Sequence, residues 1–226
     1  MTRSLKTLTL LTALLAMTLG ASAGVIIPPT NVLLSDLEPG EDVVTLGGLT
    51  FSDFEAAILP GSPDLDDITL SLTQTPGFPH IVNVDFVGVW LPSPGETLDT
   101  GLSFIVTADP GVSLLGASLS MAGGFASGDA KVAILENVFE YETGPLVSSM
   151  ATMYDPANPP AVLFDSATFG AQDSLWIYKD IAAINVDGVA HLSGFGQTFE
   201  TDVPEPASIG LLAIGGLALL KRRQKK

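Results

Sequence analysis

Two histidines, no cysteine and a surplus of carboxylates bound the chemistry open to this chain. Without cysteine there are no disulfides, thiolate metal centres or thiol nucleophiles, and no lipid attachment through an N-terminal cysteine. His80 and His191 lie far apart in sequence, whereas a zinc centre needs three or four grouped ligands. The serine clusters, at residues 113–120 and at Ser148-Ser149, form no Gly-x-Ser-x-Gly elbow that would present a nucleophile to a base. Glycoside hydrolysis needs two carboxyl groups flanking a cleft. Among 25 acidic residues, no spacing singles out such a pair. Asp64, Asp66 and Asp67 form a dense acidic run that offers oxygen ligands to calcium, but it lacks the Gly and the closing Glu of an EF-hand loop. They are the candidate metal ligands, with a solvated turn as the competing reading. Trp90, Trp176 and Tyr178 are candidates for stacking on the apolar faces of sugars, in competition with core packing. No residue is assigned a catalytic role, no cofactor other than calcium is expected, and the chain reads as a non-enzyme.

Charge is unevenly placed. Residues 24–203 hold 24 acidic residues and only two basic ones, Lys131 and Lys179, for a net charge of −22. Such a body repels phosphate backbones, so nucleic acid is excluded as a partner. The remaining cations sit at the two ends of the chain.

Between those ends, short apolar runs alternate with turn residues. In residues 67–73, Ile68, Leu70 and Leu72 share one face while Thr69, Ser71 and Thr73 share the other. In residues 81–91, Val82, Val84, Phe86 and Trp90 share a face; the opposite face begins polar at Asn83 and Asp85 and becomes apolar at Val87 and Val89. Residues 102–107 alternate in the same way, and further runs cover 112–121, 131–141, 146–154, 161–169, 174–186 and 189–200. Pro60-Gly61-Ser62-Pro63, Pro92-Ser93-Pro94-Gly95 and Asp109-Pro110-Gly111 supply turn chemistry. Asp187-Gly188 predicts a hairpin between two strands. About ten short strands between turns predict an all-β sandwich or jelly-roll-like body. Residues 53–59 (DFEAAIL) suit a short helix as well as a strand end, and the proline-rich segment 155–160 reads as a connection between sheets.

Residues 1–23 read as a signal peptide. Arg3 and Lys6 give a positive start, residues 8–19 an apolar segment, and Ala21-Ser22-Ala23 a small-residue cleavage site, with Ala21 and Ala23 at the positions a signal peptidase reads. The body is then 24–202, and 203–226 forms a second processing segment. There, Pro204-Glu205-Pro206 is a stiff extended stretch. Residues 207–220 (ASIGLLAIGGLALL) predict an apolar helix of 14 residues, about 21 Å at ~1.5 Å per residue. That is short for a permanent span. The tail 221–226 places five cations in six residues, and such a tail stays cytoplasmic.

These three parts in order resemble the C-terminal sorting signal of the PEP-CTERM proteins of Gram-negative bacteria. The resemblance implies Sec export, transient anchoring in the inner membrane through 207–220, recognition by an exosortase near Pro204-Glu205-Pro206, and release to the cell surface or the extracellular space. Members of that family are associated with exopolysaccharide and biofilm formation. Within the body, residues 46–54 (LGGLTFSDF), Tyr178-Lys179-Asp180-Ile181 and Gln197-Thr198-Phe199 also resemble segments of family ectodomains and imply a common β-sandwich. The leading expectation is a structural or interaction protein of an exopolysaccharide or biofilm matrix. A secreted carbohydrate-binding module is the alternative, and a secreted hydrolase on a jelly-roll scaffold comes third.

Overall fold

The computed structural model describes residues 24–26, 31–37, 40, 42–75 and 80–202. The signal peptide, with Ala21 and Ala23, and the segment 203–226, with Pro204-Glu205-Pro206 and the apolar helix, lie outside them. The body is all-β, as alternation and turn spacing predict: among the described residues, twelve strands form two sheets that share their longest strand. The first sheet runs β1 (Gly24–Ile26), β3 (Asp42–Leu46), β4 (Leu49–Ile58), β7 (Glu96–Ala108), the first part of β12 (Ser174–Asp202), β9 (Phe125–Phe139) and β10 (Leu146–Tyr154). The second runs β2 (Val32–Leu33), β5 (Thr69–Thr75), β6 (His80–Trp90), the last part of β12, β8 (Ser113–Ala122) and β11 (Phe164–Gln172). All pairings are antiparallel except that of β1 with β3. One 3₁₀ turn, Leu34–Asp36, is the sole helical element among the described residues, and none of these forms a helix long and apolar enough to cross a membrane.

The predicted faces of β5 and β6 are the observed ones. Ile68, Leu70, Leu72, Val82, Val84, Phe86 and Trp90 are buried, while Val87 and Val89 are exposed on the outer side. Phenylalanines from both sheets meet in the core: Phe86 lies 5.8 Å from Phe104, and Phe51 lies 5.7 Å from Phe199. Each such buried ring stabilises the fold by about 1.5–3 kcal/mol relative to exposure.

One expectation changes and one left open is decided. Asp187-Gly188 is not a hairpin turn. The runs it separates are one continuous strand, β12, with a register shift between Asn185 and Gly188. Gly188 pairs with Gly128, whose φ is +64°, and a Cβ at Gly188 would stand 1.9 Å from the Ser127 carbonyl oxygen. The two glycines therefore permit a bulge within a continuing strand instead of a reversal; residues 188–191 stay paired with β9, and pairing with the second sheet begins at Leu192. Residues 53–59 follow the strand-end alternative: β4 runs through them as far as Ile58. Asp53 takes φ +54° and the register shifts between Ser52 and Glu55, so Phe51 and Phe54 both point inward. That spacing of three is what imitates a helix in the sequence. The segment 155–160 does join the sheets, leading from β10 to β11.

Candidate functional site

The first part of β12 buries Leu175, Ile177, Lys179 and Ile181, so the pleat turns Trp176, Tyr178 and Asp180 to the outer face of the first sheet. The Tyr178 ring lies 5.9 Å from that of Trp176 at an interplanar angle of 18°. Phe139, opposite Trp176 on β9, extends the row at 5.4 Å and 49°. On the other flank, β7 places Gly101 opposite Asp180 and Asp99 opposite Ala182. Together with Ala57 and Ile58 of β4, Asp99, Gly101 and Asp180 line a hollow of about 310 Å³ beside Tyr178. A Cβ on Gly101 would come within 3.0 Å of the Tyr178 hydroxyl, so the absence of a side chain there lets the ring lie over β7.

The electrostatics of the hollow are set by paired acids. Partial burial raises the Asp180 pKa above the usual carboxylate range, and a hydrogen bond and like-charge repulsion from Asp99 push it further. A hydrogen bond between two carboxyls needs a proton on one of them. The same burial, reinforced by Asp180 and Asp99, raises the Tyr178 hydroxyl above its ordinary value, which keeps it a donor at neutral pH. Flat aromatic faces next to carboxyl and phenol groups suit a polyhydroxylated ligand: apolar C–H faces stack on the rings and hydroxyls donate to the carboxyls.

The other candidate residues fall elsewhere. Trp90 is fully buried, and its Nε1–H donates to Thr100 Oγ1 at 3.0 Å, so it is a core residue and not a stacking surface. Asp64 closes a turn: its Oδ1 accepts the Asp66 N–H at 3.0 Å and its carbonyl oxygen accepts the Asp67 N–H. Asp64, Asp66 and Asp67 gain no further ligand, for no group of three His, Asp or Glu side chains that could hold a metal occurs among the described residues. Asp99, Asp180 and Gly101 were not singled out in the sequence. Asp99 and Asp180 meet only because β7 pairs with β12, and no local pattern signals that.

Residues 202–226 match the family model of the PEP-CTERM protein-sorting motif. The motif is an exosortase recognition signal, and it implies an exported protein with a cell-surface or extracellular destination. No curated protein matches the chain. Solved structures with a similar arrangement include TmCBM61 in complex with β-1,4-galactotriose, at 10% identity and a TM-score of 0.26 over 66% of this chain and 86% of that one. A second is one of the carbohydrate-binding modules of the β-sandwich superfamily, at 13% identity and a TM-score of 0.27 over 70% and 57% of the two chains. A third is the Glycosylation Associate Protein (Gap123) complex of Streptococcus agalactiae, at 10% identity and a TM-score of 0.28 over 64% and 25%.

Proposed function

We propose that the exported body is a non-enzymatic interaction protein of an exopolysaccharide or biofilm matrix in a Gram-negative bacterium, and that it holds polysaccharide on the outer face of the first sheet. The observation that carries this reading is the near-parallel Trp176–Tyr178 pair beside the hollow that Asp99 and Asp180 line. The net charge of −22 over residues 24–203 favours neutral glycans over anionic ones. Delivery would use the Sec machinery and signal peptidase at Ala21 to Ala23, then exosortase at Pro204-Glu205-Pro206, with 207–220 as a transient stop in the inner membrane.

Two experiments test the two halves of this reading. In the first, the mature protein is sedimented with neutral exopolysaccharide from the producing cells. Wild type is expected in the pellet and the Trp176→Ala, Tyr178→Ala double variant in the supernatant; equal sedimentation of both sinks the stacking face. In the second, Pro204, Glu205 and Pro206 are all replaced by Ala and the cells are fractionated. The unprocessed chain is expected to stay with the inner membrane, and normal release of a processed body would remove exosortase from the route.

A further inference from the structure

Three polar side chains meet inside the sandwich, where apolar packing is the rule. Lys179 of β12 and Glu136 of β9 face each other in register, and Gln197 reaches them from the part of β12 that belongs to the second sheet. Lys179 and Glu136 are fully buried and Gln197 is 1% exposed. The Glu136 carboxyl bridges the other two: Oε2 accepts from Lys179 Nζ and Oε1 accepts from Gln197 Nε2. The Lys179 amine and the Gln197 carboxamide are therefore held side by side by one group. The rings of Phe104 and Phe195 stand 6.0 Å and 5.6 Å from Nζ. Gln197 Oε1 is buried with no hydrogen-bond partner. A buried ion pair is weak support for a fold, since apolar residues of similar volume commonly do as well, so packing alone gives this trio no reason to exist.

The arrangement has the parts of an acyl transfer: an amine, an amide carbonyl and a shared proton carrier, all closed off from competing water. We propose that Lys179 and Gln197 join in an intramolecular isopeptide bond, with Glu136 as the catalytic residue that moves the protons. The neutral Nζ attacks Gln197 Cδ, and the carbonyl electron pair moves onto Oε1. Glu136, starting as the carboxylic acid, gives its proton to Nε2 and takes one from Nζ. The Cδ–Nε2 bond breaks, ammonia leaves, the pair on Oε1 restores the carbonyl, and Glu136 is again the acid. Nothing is oxidised or reduced. Burial favours the starting states, since it lowers the Lys179 pKa and raises that of Glu136, with only partial opposition from the attraction between them. The product is a neutral amide, so no buried charge remains. It also ties the two parts of β12, and hence both sheets, by a covalent link in a chain that has no cysteine.

The test is peptide mapping of the full-length chain recovered from producing cells and fully denatured before trypsin is added. The expected result is cleavage after Lys131 but not after Lys179. The peptide carrying Lys179 and Gln197 is then lighter than its calculated mass by one ammonia, and fragmentation joins the two side chains. Glu136→Gln is expected to restore cleavage after Lys179 and the full calculated mass. Free Lys179 at the calculated mass in wild type overturns the bond, as does loss of water with Lys179 joined to Glu136 instead. A linked Glu136→Gln protein overturns the role given to Glu136. If that variant does not fold, the wild-type map still decides the bond.

Discussion

Tyr178, Lys179 and Asp180 are neighbours on one strand, yet they belong to two environments with opposite rules. On the outer face, Asp180 is only partly buried beside a second carboxyl, Asp99, and that burial and that neighbour together raise its pKa. On the inner face, Lys179 has no water and meets only the Glu136 carboxyl, which also holds the Gln197 carboxamide, and two aromatic rings. A like-charge pair is affordable where solvent screens it, and a single unpaired charge is not affordable where solvent is absent.

The contrast predicts a graded set of losses. Lys179→Ala removes the fully buried side chain that faces Glu136 and leaves a cavity, and is expected to lower the free energy of unfolding by about 2–5 kcal/mol in urea titrations. An effect near that of a surface substitution would place Lys179 outside the core. Gly188→Ala, at the bulge between the two parts of β12, forces a Cβ against the Ser127 carbonyl. Its expected cost is about 1–3 kcal/mol, the range for overpacking, read as a drop in Tm. Were residues 187–188 a hairpin turn after all, the substitution would be close to neutral.

On the outer face the effects are smaller, and the sign of one is opposite. Asp180 holds its proton more tightly folded than unfolded. Its contribution to stability is therefore complete below the usual carboxylate pKa and is lost as pH rises through the higher folded value. Asp180→Asn should leave stability nearly unchanged in acid and raise it at neutral pH, by less than about 1 kcal/mol after solvent screening. Thermal melts of both proteins across that pH range check it; a stabilisation that is larger in acid than at neutral pH would contradict the raised Asp180 pKa.

Strand faces were legible wherever alternation was strict, as at Ile68, Leu70 and Leu72. Residues 53–59 stayed open between helix and strand end because the bulge at Asp53 gives Phe51 and Phe54 a helical spacing. Asp187-Gly188 misled because the same dipeptide serves a reversal and a bulge, and only the Gly128 backbone opposite decides between them. Lys179 was legible in principle, for it shares the phase of Leu175, Ile177 and Ile181, but a lysine in a core phase is easily taken for a surface residue. The pairing of Asp99 with Asp180 was not legible at all, since strand order creates it.

The outer face is tested most directly through tryptophan fluorescence, because the two tryptophans divide between the environments. Trp90 is sealed in the core and Trp176 is half-buried on the proposed stacking face. Adding neutral exopolysaccharide to the mature protein should shift the Trp176 emission and shield it from a soluble quencher, and Trp176→Phe should abolish both changes. Unchanged emission and quenching in wild type, or changes that persist in Trp176→Phe, would contradict glycan binding at this face.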